Sequence, residues 1–165
     1  MSEAAPYSLT QADAAYLLSM LDGDQKLPAR TKSELESLLR ETLNLAQSLS
    51  DNCEEWLTLT AICETDIHPH DAEMLNVPTL KGALKAAILI PAVECDRMCH
   101  TCAFRVGSIA NQSAIVAGDV DYAFDEHVIF YCHDIDDESK AKACAGFMQA
   151  LNDRRMRSRR LQDKD

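Results

Sequence analysis

Apolar residues return every three to four positions along the first half of the chain, the spacing of helices that bury one face. Leu9, Ala12, Tyr16 and Met20 form the first such run, opened by Thr10 with Asp13 and stopped by Asp22-Gly23. The Thr–Asp pair has the form of a capping box, in which each side chain satisfies the other residue's free backbone N–H. A second run opens at Thr31 with Glu34 and carries Leu35, Leu38, Leu39, Leu45, Ala46 and Leu49. Ser50-Asp51-Asn52 reads as a break or a fresh cap. Beyond it Cys53, Trp56, Leu57, Thr60 and Cys63 keep helical spacing. These runs predict a helical hairpin or small bundle.

The second half is less regular. Asp66 to Pro78 reads as loop. A helix is expected from Thr79 to about Leu89, with Leu80, Ala83, Leu84, Ala87 and Ile88 on its apolar face and Pro91 ending it. Ser108 to Ala117 predicts a short helix that starts near Asn111 or Ser113 and breaks at Gly118-Asp119. His127 to Cys132 (HVIFYC) is rich in β-branched and aromatic residues and predicts one strand. After an acidic turn, His133 to Glu138, a last helix should start near Asp137 or Ser139 and bury Ala141, Cys144, Ala145, Met148 and Leu151. The fold class expected is mainly α with a small β element (α+β). Residues 1–90 would be a helical hairpin or bundle, 91–151 a Cys-rich metal-binding module, and 152–165 a basic helical or disordered tail.

Charge narrows the choice of partners. The net charge is −11. Residues 1–151 hold ten basic and 24 acidic side chains, a net of −14, and residues 152–165 hold six basic and three acidic, a net of +3. An acidic body disfavours phosphate backbones, so nucleic acid is expected only through the tail, Arg154 to Arg160, if at all. A protein partner fits better. No run reaches the roughly 20 apolar residues of a membrane helix, and the start shows no basic segment followed by an apolar one. The expectation is a cytoplasmic protein, in which thiols stay reduced.

Five of the seven cysteines lie between Cys95 and Cys144. Cys99 and Cys102 form a C-x-x-C knuckle, which lets two thiolates converge on one ion from a single turn. Cys132 would end the strand and Cys144 would open the last helix, so both could face the same point. The expected metal ligands are Cys99, Cys102, Cys132 and Cys144, with Cys95 and His133 in reserve. Four thiolates select soft ions, zinc first, with a 4Fe–4S cluster as the alternative. Cys53 and Cys63, on a helical face, read as packing.

CHTCAFR, FYCH and CAGF together resemble a poorly characterised group of phage and bacterial Cys-rich proteins. Their pattern is C-x-x-C, a small residue or proline, an aromatic and arginine; then F-x-C-H; then C-A-G-aromatic. The resemblance runs from Cys99 to Phe147 and covers Phe104, Arg105, Phe130, His133 and Gly146 as well as the four cysteines. Ala103 stands where proline is common, and Cys95 is an addition. The resemblance implies a metal-binding module. Arg105 and Phe130 are expected beside the ligands.

Other chemistry is weakly signalled. His68, His70 and Asp71 could hold an ion but fit a solvated loop better. His100 and His127 read as exposed and structural respectively. Asp134, Asp136, Asp137 and Glu138 lack the spacing and glycine of a calcium loop. No phosphate loop, nucleophile elbow or H-E-x-x-H occurs, and no catalytic residues are expected. The function expected is a non-enzymatic protein-interaction module stabilised by structural zinc. The alternative is a 4Fe–4S protein with a redox, sensing or catalytic role.

Overall fold

A computed structural model describes residues 5–24, 26–60, 76–132 and 142–162. Its helices are α1 (Gln11–Leu21), α2 (Lys32–Thr60), α3 (Leu80–Leu89), α4 (Ala114–Asp125) and α5 (Ala145–Gln162). Three of them begin where a hydroxyl takes up a free N–H of the first turn. Thr10 accepts from Asp13, Thr79 from Gly82 and Ser113 from Val116. At α2, Thr31 and Glu34 exchange bonds reciprocally, with the Thr31 N–H on the Glu34 carboxylate at 2.7 Å. The connection into α2 is drawn back onto α1 by Arg30, which pairs with Asp13 and lies 4.2 Å above the Tyr16 ring.

α3 is the common wall of two cores. Ala83 and Leu84 pack with Tyr7, Ala14 and Leu45 of the N-terminal region. Ala86 and Ile90 pack with Cys102, Phe104, Val116, Val120, Phe124, Phe130, Cys144 and Phe147. α3 meets α1, α2 and α4. Its approach to the start of α4 is closest at Gly82, where an added Cβ would run into the backbone of Gln112 and Ala114. The Thr79 N–H donates to the Gln112 carbonyl at 2.9 Å on the same seam.

Several expectations are corrected. The α+β class does not hold: the described residues are helical, and their only β feature is a single antiparallel bridge between Tyr131 and Ala143. The strand expected over His127 to Cys132 is reduced to that one bridge, and α4 before it does not break at Gly118-Asp119. Val116, Ala117, Val120, Ala123 and Phe124 keep one face buried to its end. His127 then adopts a left-handed φ of 56°, and the Val128 N–H closes on the Ala123 carbonyl. That closure has the form of a helix C-cap. The expected Cys-rich metal-binding module is likewise not seen as such. Among the described residues no three His, Cys, Asp or Glu side chains gather into a metal-holding group; of the late cysteines, Cys102 and Cys144 are part of the buried core.

Smaller differences follow from packing. α2 runs straight through Ser50-Asp51-Asn52, because Ser48 and Asn52 turn inward to hydrogen-bond. It buries Leu38 and Leu45 and leaves Leu35 and Leu39 exposed. α5 starts after Cys144 and buries Phe147 and Ala150, while Met148 faces out. Cys63, His68, His70, Asp71, His133 and the acidic run 134–138 lie outside the described residues.

Two glycines give opposite predictions. Gly82→Ala should destabilise by about 1–3 kcal/mol, since backbone on the far side cannot give way. Gly118→Ala faces open space inside a helix and should stabilise by about 0.5–1 kcal/mol; urea melts of both variants measure the difference. Asp13 supplies a pH dependence. Hydrogen bonds from Arg30 and Thr10 hold its carboxyl below the usual carboxylate range. Its contribution is therefore complete above the unfolded carboxylate's value and is lost as pH falls through the folded one. Asp13→Asn should lower the urea midpoint at pH 7 and change it much less at about pH 3.

Candidate functional site

Between α3 and α4 the chain from Cys95 to Ser113 is a succession of turns. The Met98 N–H bonds back to the Cys95 carbonyl, Cys102 to Cys99, Arg105 to Cys102 and Ser108 to Arg105. Much of it is buried, so its polar groups need partners inside the protein. Arg105 donates from Nε to the Cys99 carbonyl (3.1 Å) and from Nη2 to the Met98 carbonyl (3.0 Å). The Ser108 hydroxyl donates to the Cys102 carbonyl at 2.8 Å, and Asn111 Nδ2 to the Ala103 carbonyl at 2.8 Å. Gln112, fully buried, donates to the Ser48 hydroxyl and the Tyr7 phenol and accepts from Asn52. No buried side-chain nitrogen or oxygen among the described residues lacks a partner.

This scaffold presents Cys99 and Cys102 toward two other parts of the chain. The Cys132 N–H donates to the Lys142 carbonyl (2.8 Å), and the Cys144 N–H to the Phe130 carbonyl (2.9 Å). These bonds flank the Tyr131–Ala143 bridge and hold Cys132 and Cys144 on adjoining segments. The sulfurs then meet crosswise. Cys99 Sγ lies 3.9 Å from Cys132 Sγ, and Cys102 Sγ lies 3.6 Å from Cys144 Sγ. Cys102 and Cys144 are buried, whereas Cys99 and Cys132 are partly exposed.

The two buried thiols are shifted in opposite directions. The hydrogen bond between their sulfurs, which either can donate, pushes the Cys102 thiol up, and burial pushes it further. The same bond pulls the Cys144 thiol down, helped by the N–H groups of Phe147 and Gly146 in the first turn of α5 and opposed by burial. Cys144 is thus the member of the pair that ionises first.

All four phenylalanines of the chain belong to the same buried cluster as Cys102 and Cys144. Phe104 meets Phe124 and Phe147 at 6.2 Å between ring centroids and Phe130 at 6.4 Å, with the rings steeply inclined. Arg154 of α5 covers the outer side of Phe124 at 3.7 Å. Gly146 has a physical role here: a Cβ on it would strike the Phe104 side chain.

The remaining candidates fall outside the pairs. Cys95 is partly exposed and enters neither of them. His100 is largely exposed and reaches Glu55 of α2 at 3.7 Å. Cys53 points its thiol at the Pro78 carbonyl, and burial raises its pKa. Next to the turns lies an open cleft of about 690 Å³ whose lining includes Asp51, Glu55, Glu94, His100 and Arg105. Ser108, Asn111 and Gln112 hold the site together and were not singled out by sequence reasoning for that task. For Asn111 and Gln112 the only signal is the polar run NQS after Ile109-Ala110, and Ser108 has none.

Arg105→Ala would leave the Met98 and Cys99 carbonyls without their charged donor. A loss of about 1–3 kcal/mol is expected, read as a lower urea midpoint, with Arg105→Lys recovering part of it. No protein-family model, no curated protein and no solved structure matches this chain.

Proposed function

We propose that Cys99, Cys102, Cys132 and Cys144 bind one soft metal ion, zinc, and that the ion fastens the turn region to α5 in a non-enzymatic protein-interaction module. The observation that carries this reading is the pair of sulfur separations, 3.9 and 3.6 Å. A tetrahedral zinc with Zn–S bonds of about 2.3 Å sets its sulfurs about 3.8 Å apart. Each pair therefore already has the length of one tetrahedron edge. A 4Fe–4S cube places iron atoms between its thiolates and spreads them further, so these separations favour a single ion. The donor set fits: four sulfurs are soft ligands.

Arg105 would hold the backbone of the turn, and Phe104, Phe130 and Phe147 would keep water from the sulfurs. The partner surface follows from charge. The body is strongly acidic, and the cleft beside the turns carries Asp51, Glu55 and Glu94. Basic side chains of a protein partner suit it, and phosphate-bearing nucleic acid does not. Among the described residues no helix is long and apolar enough to cross a membrane.

Anaerobic purification followed by metal analysis tests the reading. One zinc per chain and a colourless protein are expected. Cys99→Ser or Cys132→Ser should weaken zinc retention by at least about tenfold against a competing chelator, while Cys95→Ser should leave it unchanged. A brown protein containing iron would replace zinc with the cluster. Metal retention unaltered by every single serine substitution would remove the ligand set altogether.

A further inference from the structure

We infer that the same four cysteines form a covalent modification site, oxidised by hydrogen peroxide to two crossed disulfides, Cys99–Cys132 and Cys102–Cys144. Four cysteines allow three connectivities, and the C-x-x-C spacing would suggest closure within the knuckle. The structure selects another. Each knuckle cysteine has its sulfur against a cysteine from a distant segment, at 3.9 and 3.6 Å. A disulfide needs about 2.0 Å, so each pair lacks less than about 2 Å of approach.

The step balances within the site. One thiolate attacks the peroxide oxygen, the O–O bond breaks, and hydroxide leaves and is protonated to water. The sulfenic acid that forms is attacked by the facing thiol, the S–S bond forms, and a second water leaves. Each pair is oxidised by two electrons and consumes one peroxide. Exposure sets the order. Cys99 and Cys132 are partly open to solvent, whereas Cys102 and Cys144 lie buried in one cluster with the phenylalanines. The Cys99–Cys132 bond forms first, and the buried pair follows as excess peroxide enters.

One consequence rests on the proposed function: thiolates joined in disulfides no longer hold zinc, so oxidation releases the ion. The pairing itself does not depend on that reading.

The test uses the full chain in two forms, stripped of metal by a chelator and loaded with zinc. Each is treated with increasing hydrogen peroxide, alkylated without reduction, digested with trypsin and mapped by fragmentation mass spectrometry. Cys99 and Cys102 share one tryptic peptide, so fragmentation between them assigns the partners. The expected result on metal-free protein is loss of the thiols of Cys99 and Cys132 at one peroxide equivalent and of all four at excess. The links should be 99–132 and 102–144, reversible by dithiothreitol. Cys99→Ser should leave Cys132 a free thiol and retain the 102–144 link. A Cys99–Cys102 link, any other connectivity, sulfinic acid at these positions, or four thiols still alkylated after excess peroxide overturns the inference. On zinc-loaded protein, loss of the bound ion should accompany the first link. Failure to load zinc at all sinks the metal reading and leaves the peptide map to decide the pairing.

Discussion

A buried stretch of chain without regular structure must find partners for its backbone polar groups, and that requirement organises this protein. Between α3 and α4 the carbonyls of Met98, Cys99, Cys102, Ala103 and Gly107 are taken up by side chains: Arg105, Ser108, Asn111 and Asn52. Each buried polar group left unpaired would cost about 1–3 kcal/mol, and a domain of this kind has only about 5–15 kcal/mol in all. Two or three failures would consume much of the stability. The segment therefore has one arrangement, and the sulfurs it carries have one position.

The network reaches beyond the segment. Gln112 is the hinge between the two cores, because its side chain bonds to Ser48, Asn52 and Tyr7 while its carbonyl takes the Thr79 N–H at the head of α3. The N-terminal helices and the thiol region are thus coupled by hydrogen bonds as well as by α3. The cleft between α2 and the turns lies on that route.

How much of this could be read from the sequence depends on how local the cause was. The starts of α1, α2 and α3 were legible because a hydroxyl and the N–H it caps lie three residues apart in the chain. The cysteine knuckle was legible for the same reason. The strand over 127–132 was misread because its β-branched and aromatic residues serve another end. Phe130 joins the phenylalanine layer, while His127 ends α4 in a left-handed turn that composition does not signal. The continuity of α2 across Ser-Asp-Asn was obscured because Asn52 spends its amide on Gly107 and Gln112, over 50 residues away. Crosswise pairing of the sulfurs was likewise out of reach. It depends on one antiparallel rung, at Tyr131 and Ala143, whose partners are set by the whole fold.

Cysteine packs well as a small apolar residue, and that alone would explain Cys53. It does not explain the late four. If burial were the only gain, Cys99 and Cys132 would be buried in the phenylalanine cluster with the others or be scattered; instead they are partly exposed and still face each other. The knuckle and the two segments joined at the Tyr131–Ala143 bridge bring sulfur against sulfur twice. Packing asks for volume, which alanine or valine could fill, and is indifferent to which atom touches which. Contact between like sulfur atoms at two places, one dry and one wet, points to chemistry that uses sulfur in sets, by ligation or by bond formation. The hydrogen-bonded turn that carries the knuckle sets its two thiols against the two others.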